Sequence, residues 1–148
     1  MTVLETLKDT REQIATEDRW CKGHLALDKD GNRVPCKADN AHRWNIHGAI
    51  VAVEENGIIG AETEKYLEEY AVGAFEMWVA KFNDHPDTTH QDVIRFLDRA
   101  IKKYLFDQAE KENKTNDDAK QKADHAEEIR KAQNELIRSG IIFSWLKE

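Results

Sequence analysis

The chain is poor in residues that break helices. It has two prolines, Pro35 and Pro86, and seven glycines in 148 residues. It is also poor in cysteine: Cys21 and Cys36 are too few for a disulfide framework, and a chain this long buries a core without one. No apolar run approaches the roughly 18 residues that a membrane span needs. The N-terminus MTVLETLKDTREQ lacks the basic and apolar regions of a signal peptide. The expectation from these absences is a cytoplasmic protein with free thiols and no membrane association. Nucleotide and hydrolase signatures are missing too: there is no P-loop, Gly-x-Gly-x-x-Gly, Gly-x-Ser-x-Gly or His-Glu-x-x-His.

What the chain does have is charge. Charged residues make up 34% and the formal net charge is −7. That balance favours solubility and disfavours nucleic acid, because the basic residues are interspersed with acidic ones and no basic stripe stands out. The partner expected is a protein or a second copy of the chain.

The apolar pattern predicts an all-α fold: a small bundle of about four main helices, a long irregular loop and an appended charged helix. Thr2 and Glu5 form a capping-box pattern ahead of Val3, Leu4, Leu7, Arg11 and Ile14, which predicts a helix over residues 3–15. Residues 20–40 read as a loop around Asp30-Gly31, with Leu25, Leu27 and Val34 placed for a short hairpin. Ala41, Trp44, Gly48 and Val51 predict a second helix, capped by Asp39 or Asn40 and stopped at Gly57. A third stripe runs from Leu67 through Tyr70, Ala71, Ala74, Phe75, Trp78 and Val79 to Phe82, ending at Asn83. A fourth starts at Thr88 or Thr89 and carries Val93, Phe96, Leu97, Ala100, Ile101, Tyr104 and Leu105. These two stripes should pack as an antiparallel pair. The composition then shifts, dividing the chain into a helical domain over 1–106 and a charged helical extension over 107–148.

The extension has a narrow seam of Ala119, Ala123, Ala126, Ile129 and Leu136, a Ser139-Gly140 stop, and an apolar end of Ile141, Ile142, Phe143, Trp145 and Leu146. That end is the candidate partner-binding segment, since exposed terminal aromatics make effective anchors.

Two constellations bear on chemistry. Cys21-x2-His24 and Cys36-x5-His42 supply zinc-ligand types, but the second spacing is looser than zinc modules use. The expectation is no metal and no cofactor, with Cys21, His24, Cys36 and His42 as the metal candidates. His42 and His47 would lie about 140° apart on a helix and so share no face. Asp28-Lys29-Asp30-Gly31 has its glycine too early for a calcium loop. The polar groups for an acid/base site are Asp84, His85, His47 and Asp28. The turn reads instead as structural: Asn83 caps the preceding helix, Asp84 satisfies backbone donors in the turn and Thr89 caps the next helix, each residue having the type its slot asks for. No catalytic residue is therefore assigned.

Six short patterns in order add a family resemblance. Arg19-Trp20-x-x-Gly23, Asp28-x-x-Gly31, Ala41-x-x-Trp44-x-x-x-Gly48-Ala49, Phe82-Asn83-Asp84, Thr89-x-x-x-Val93 and Leu97-Asp98-x-Ala100 resemble DUF6197, a family of small bacterial and phage proteins, over about residues 3–105. Phe82 stands where the family often has Trp, and Asn45 where it often has Cys. The resemblance implies the domain and carries no activity; a phage setting would make a host protein a natural target. Three functions follow as expectations: a non-enzymatic protein-binding or regulatory module, a small hydrolase-like enzyme with a polar site between the 20–40 loop and the 83–90 turn, or a structural homo-oligomer built through the C-terminal helix.

Overall fold

A computed structural model describes residues 1–138 of the chain. The described residues form five α-helices, a 3₁₀ turn and a two-stranded sheet: α1 (Val3–Gln13), the 3₁₀ turn (Glu17–Arg19), β1 (Ala26–Leu27), β2 (Arg43–Trp44), α2 (Ile46–Val53), α3 (Gly57–Phe75), α4 (Val79–Asp84) and α5 (His90–Arg138). The all-α expectation holds. The chain divides into two compact units, Met1–Leu105 and Phe106–Glu148.

In the first unit, α1 begins on the capping box read from the sequence. The Thr2 hydroxyl accepts from the Glu5 amide, and the Glu5 carboxylate accepts from the Thr2 amide. Leu7 and Ile14 enter the core with Ile46, Ala49 and Ile50 of α2, Leu67 and Ala71 of α3, Val79 and Phe82 of α4, and Val93, Phe96, Leu97 and Ala100 of α5. Phe75 stacks on Phe82 at 4.8 Å, and Phe96 tilts against both. These rings join α3, α4 and α5 at one point, where each buried large side chain contributes about 1.5–3 kcal/mol.

Three helix boundaries differ from the sequence expectation, each for a local reason. The second helix starts at Asn45, not at Asp39 or Asn40: the Asn45 side chain accepts from the Gly48 amide. Trp44 therefore lies in β2 and Ala41 in the preceding loop. Both still turn toward the core, which is why their spacing imitates a helix stripe.

Gly57 starts α3 instead of ending α2, because the Asn56 side chain accepts from the Ile58 and Ile59 amides. The stripe from Leu67 to Phe82 is two helices, not one. Glu76 adopts a left-handed conformation (φ 56°) that closes α3. The Glu68 carboxylate then accepts from the Val79 amide at the start of α4. Trp78, expected in the core, sits at this break and is 65% exposed.

The hairpin is half realised. Leu27 bridges Arg33 across the Asp28–Asn32 turn, while the β1 ladder pairs Ala26 with Trp44 and Leu27 with Arg43. The tail is not a separate helix. α5 runs without interruption from His90 to Arg138, so the second unit opens within it. Ser139-Gly140 and the apolar end lie outside the described residues.

Candidate functional site

The densest polar constellation is built around Asn83. This residue is 1% exposed at the end of α4. Its Oδ1 accepts from the Trp20 Nε1 at 2.8 Å and from the Ile46 amide at 3.3 Å. Its Nδ2 donates to the Cys21 carbonyl at 3.1 Å and to the Asp84 Oδ1 at 2.8 Å. A carboxamide has two acceptor sites and two donors, and all four are used here. One side chain thus fixes the 20–21 segment, the start of α2 and the end of α4.

The neighbours reinforce it. Gly23 adopts φ 79°, a conformation that favours glycine, and its amide donates to the Asp84 Oδ1 at 2.8 Å. Lys22 Nζ donates to the His85 carbonyl at 2.7 Å and lies 5.6 Å from the centroid of the Trp20 ring. The Trp20 ring also tilts against His90, whose Nε2 meets the Ile14 carbonyl at 2.7 Å. The first and fourth patterns of the sequence therefore interlock in space. The expectation that Asn83 caps a helix and that Asp84 serves its own turn is corrected: both bond across the fold to residues 20–23. A cue in the sequence was the position of Asn83 directly after Phe82, at the end of an apolar stripe.

The other patterned residues also have structural partners. Asp28 accepts from the amides of Asp30 and Asn32, which holds its carboxyl below the usual carboxylate range, and Gly31 takes φ 82° in the same turn. Trp44 Nε1 donates to the Cys36 carbonyl at 2.9 Å. Gly48 lets α2 approach the loop closely: a Cβ there would stand 1.8 Å from the Leu25 carbonyl oxygen. Thr89 caps α5, exchanging hydrogen bonds with Asp92. Asp98 accepts from the Arg11 Nε at 3.0 Å, joining α5 to α1 and raising the guanidinium pKa.

The four acid/base candidates fall into three settings. Asp84 and His85 are chain neighbours, but Asp84 bonds to Gly23 and Asn83 while the His85 Nδ1 accepts from the Asp87 amide. Asp28 is occupied in its own turn. His47, on α2, lies between two carboxylates of α3, with Nε2 3.0 Å from Glu68 and Nδ1 3.7 Å from Glu64. The sequence signal for that trio is the i, i+4 spacing of Glu64 and Glu68, which places both carboxylates on one face of α3.

The metal candidates do not assemble either. The Cys21 thiol donates to the His24 carbonyl, not its ring, at 3.4 Å, and burial pushes its pKa up to about 11. The His24 ring accepts from Arg33 Nε, and His42 faces Asp18 at 3.8 Å. Burial also raises the Cys36 thiol. Among the described residues, no group of three or more His, Cys, Asp or Glu is placed to hold a metal ion. An open polar cleft of about 530 Å³ lies beside the Asp28–Gly31 turn, lined by Arg19, Asp28, Asp30, Asp39 and His42.

The second unit has a different character. From Ala109 to Arg138 almost every residue of α5 is exposed. Phe106 is 62% exposed and Ile129 46%. Glu127 and Arg130 form a bidentate pair on this surface. The partner-binding candidates Ile141, Ile142, Phe143, Trp145 and Leu146 lie outside the described residues. No helix among the described residues is long and apolar enough to cross a membrane.

A family model described as a family of unknown function, DUF6197, matches residues 1–103. No curated protein and no solved structure matches the chain.

Proposed function

We propose that this chain, which belongs to the DUF6197 family, is a non-enzymatic protein-binding module whose binding surface is the exposed face of α5 beyond Leu105. The observation that supports this reading is the large apolar side chains exposed along that stretch of α5. Phe106, Ile129 and Ile137 are 43–62% exposed on a helix that is otherwise heavily charged. Large side chains at such positions supply contact area on association that they do not supply in the isolated chain.

A second consideration comes from the first unit. The polar residues of the family pattern, namely Trp20, Asn83, Asp84, Thr89 and Asp98, are each engaged in holding the fold. The hydrolase-like alternative draws no support from Asp84, whose Oδ1 already takes two donors. The proposal places the protein in the cytoplasm and assigns it no cofactor.

The test uses the full chain with Phe106→Asp and Ile129→Asp combined. The expected result is loss of association or partner capture in light scattering and pull-down, with the unfolding transition of the first unit unchanged. Wild type and variant behaving alike in both assays would overturn the reading.

A further inference from the structure

The exposed face of α5 also carries information about what covers it. Leu105 and Ile129, 44% and 46% exposed, are joined by alternating steps of three and four residues that pass through Gln108, Glu112, Thr115, Ala119, Lys122 and Ala126. That 3.5-residue period is the seam of a left-handed helix pair. Glu112 and Lys122 are the only charged residues in the row, and neither side chain makes an ion pair or hydrogen bond among the described residues.

These two charges select a direction. Parallel, in-register pairing of two copies would set Glu112 against Glu112 and Lys122 against Lys122 at seam positions, which costs both repulsion and desolvation. Antiparallel pairing with Thr115 opposite Ala119 of the second copy sets Glu112 opposite Lys122, twice by symmetry. The same register sets Leu105 opposite Ile129, again twice. The centre of the seam is then made of small side chains that let the two helix axes approach.

We propose that α5 pairs antiparallel with α5 of a second copy of this chain in that register. The inference rests on the protein-binding reading above and names its partner.

The experiment is light scattering and sedimentation equilibrium on the full chain and on three variants. The wild type should have the mass of two chains, and Ile129→Asp the mass of one. Glu112→Lys should weaken the dimer by about tenfold, because two attractive pairs become repulsive. The combined variant Glu112→Lys, Lys122→Glu should restore wild-type affinity, since the exchange re-creates both pairs. A parallel dimer would not show this loss and rescue, so a dimer indifferent to Glu112→Lys overturns the proposal. A monomeric wild type overturns it as well. If that monomer captures a different protein through Ile129, the protein-binding reading stands without self-pairing. If it does not, both fall.

Discussion

The indole of Trp20 donates to the carboxamide of Asn83 across 63 residues of chain at 2.8 Å. This bond links two of the short patterns that carry the family resemblance, and it explains why neither is readable alone. Trp20 needs an acceptor at the end of α4, and Asn83 needs donors and acceptors that the loop brings to it.

Replacing Asn83 with Ala removes the partners of the Trp20 indole, the Ile46 amide and the Cys21 carbonyl together. The expected destabilisation is about 3 kcal/mol, at the large end for a single polar residue. Asn83→Asp should also destabilise, since it deletes the Nδ2 donor and adds a second carboxylate beside Asp84. Urea denaturation followed by tryptophan emission measures both.

Two glycines should respond in opposite ways to alanine. Gly48→Ala drives a Cβ to 1.8 Å from the Leu25 carbonyl oxygen, so α2 or the loop must move. A loss of about 2–3 kcal/mol is expected. Gly73, in α3, has nothing within 4 Å of the added Cβ. Gly73→Ala should stabilise by about 0.5–1 kcal/mol through helix propensity. Paired thermal melts would separate close packing from backbone entropy.

The thiols should differ in reactivity. Burial raises the Cys21 pKa from 9.0 to about 11, so the folded protein holds about a hundredfold less Cys21 thiolate than an exposed thiol would. Alkylation in the native state should label Cys36 first. The sign of the linked pH effect follows: the thiol form is the one the fold prefers. Cys21 therefore contributes no pH dependence below about pH 9.0, and stability falls as pH rises from there toward about 11. Cys21→Ser, compared with wild type over that range, isolates the effect.

Acid should loosen the start of α5. Asp92 is held below its ordinary pKa of 3.8 by the Thr89 amide and hydroxyl. A depressed carboxyl stabilises the folded state above the ordinary value, and that contribution is lost as pH falls through the depressed one. Asp92→Asn should lower the melting temperature near neutrality and flatten its dependence on pH below about pH 4, so that variant and wild type converge in acid. A variant with the same acid slope as wild type would count against the capping role.

Long-range apolar spacing was the legible part of this chain. The stripes through Leu67–Phe82 and Val93–Leu105 identified the core residues Leu67, Ala71, Val79, Phe82, Val93, Phe96, Leu97 and Ala100. The capping box at Thr2 marks one helix start, and of the two candidates Thr88 and Thr89 for another it is Thr89 that caps α5. What spacing alone does not reveal is a break that preserves phase. The Glu76 turn leaves Val79 and Phe82 on the same core, so one helix and two helices look alike in the pattern. Trp44 misled for a related reason, because a strand residue reaches the same core that a helical one would. The place of Asn83 after Phe82 hints at its burial, but its four partners are not legible because they come from three separate stretches of chain.

The Asn83 joint also has a kinetic side. Its Trp20 and Cys21 partners are reached only by closing loops of more than sixty residues, so they gain nothing until α4 is already in place. The docking of the 20–24 segment on α4 is thus expected late in folding. Changes to Trp20 or Gly23 should speed unfolding more than they slow refolding, which makes this motif a latch on the lifetime of the native state and not a seed for its formation.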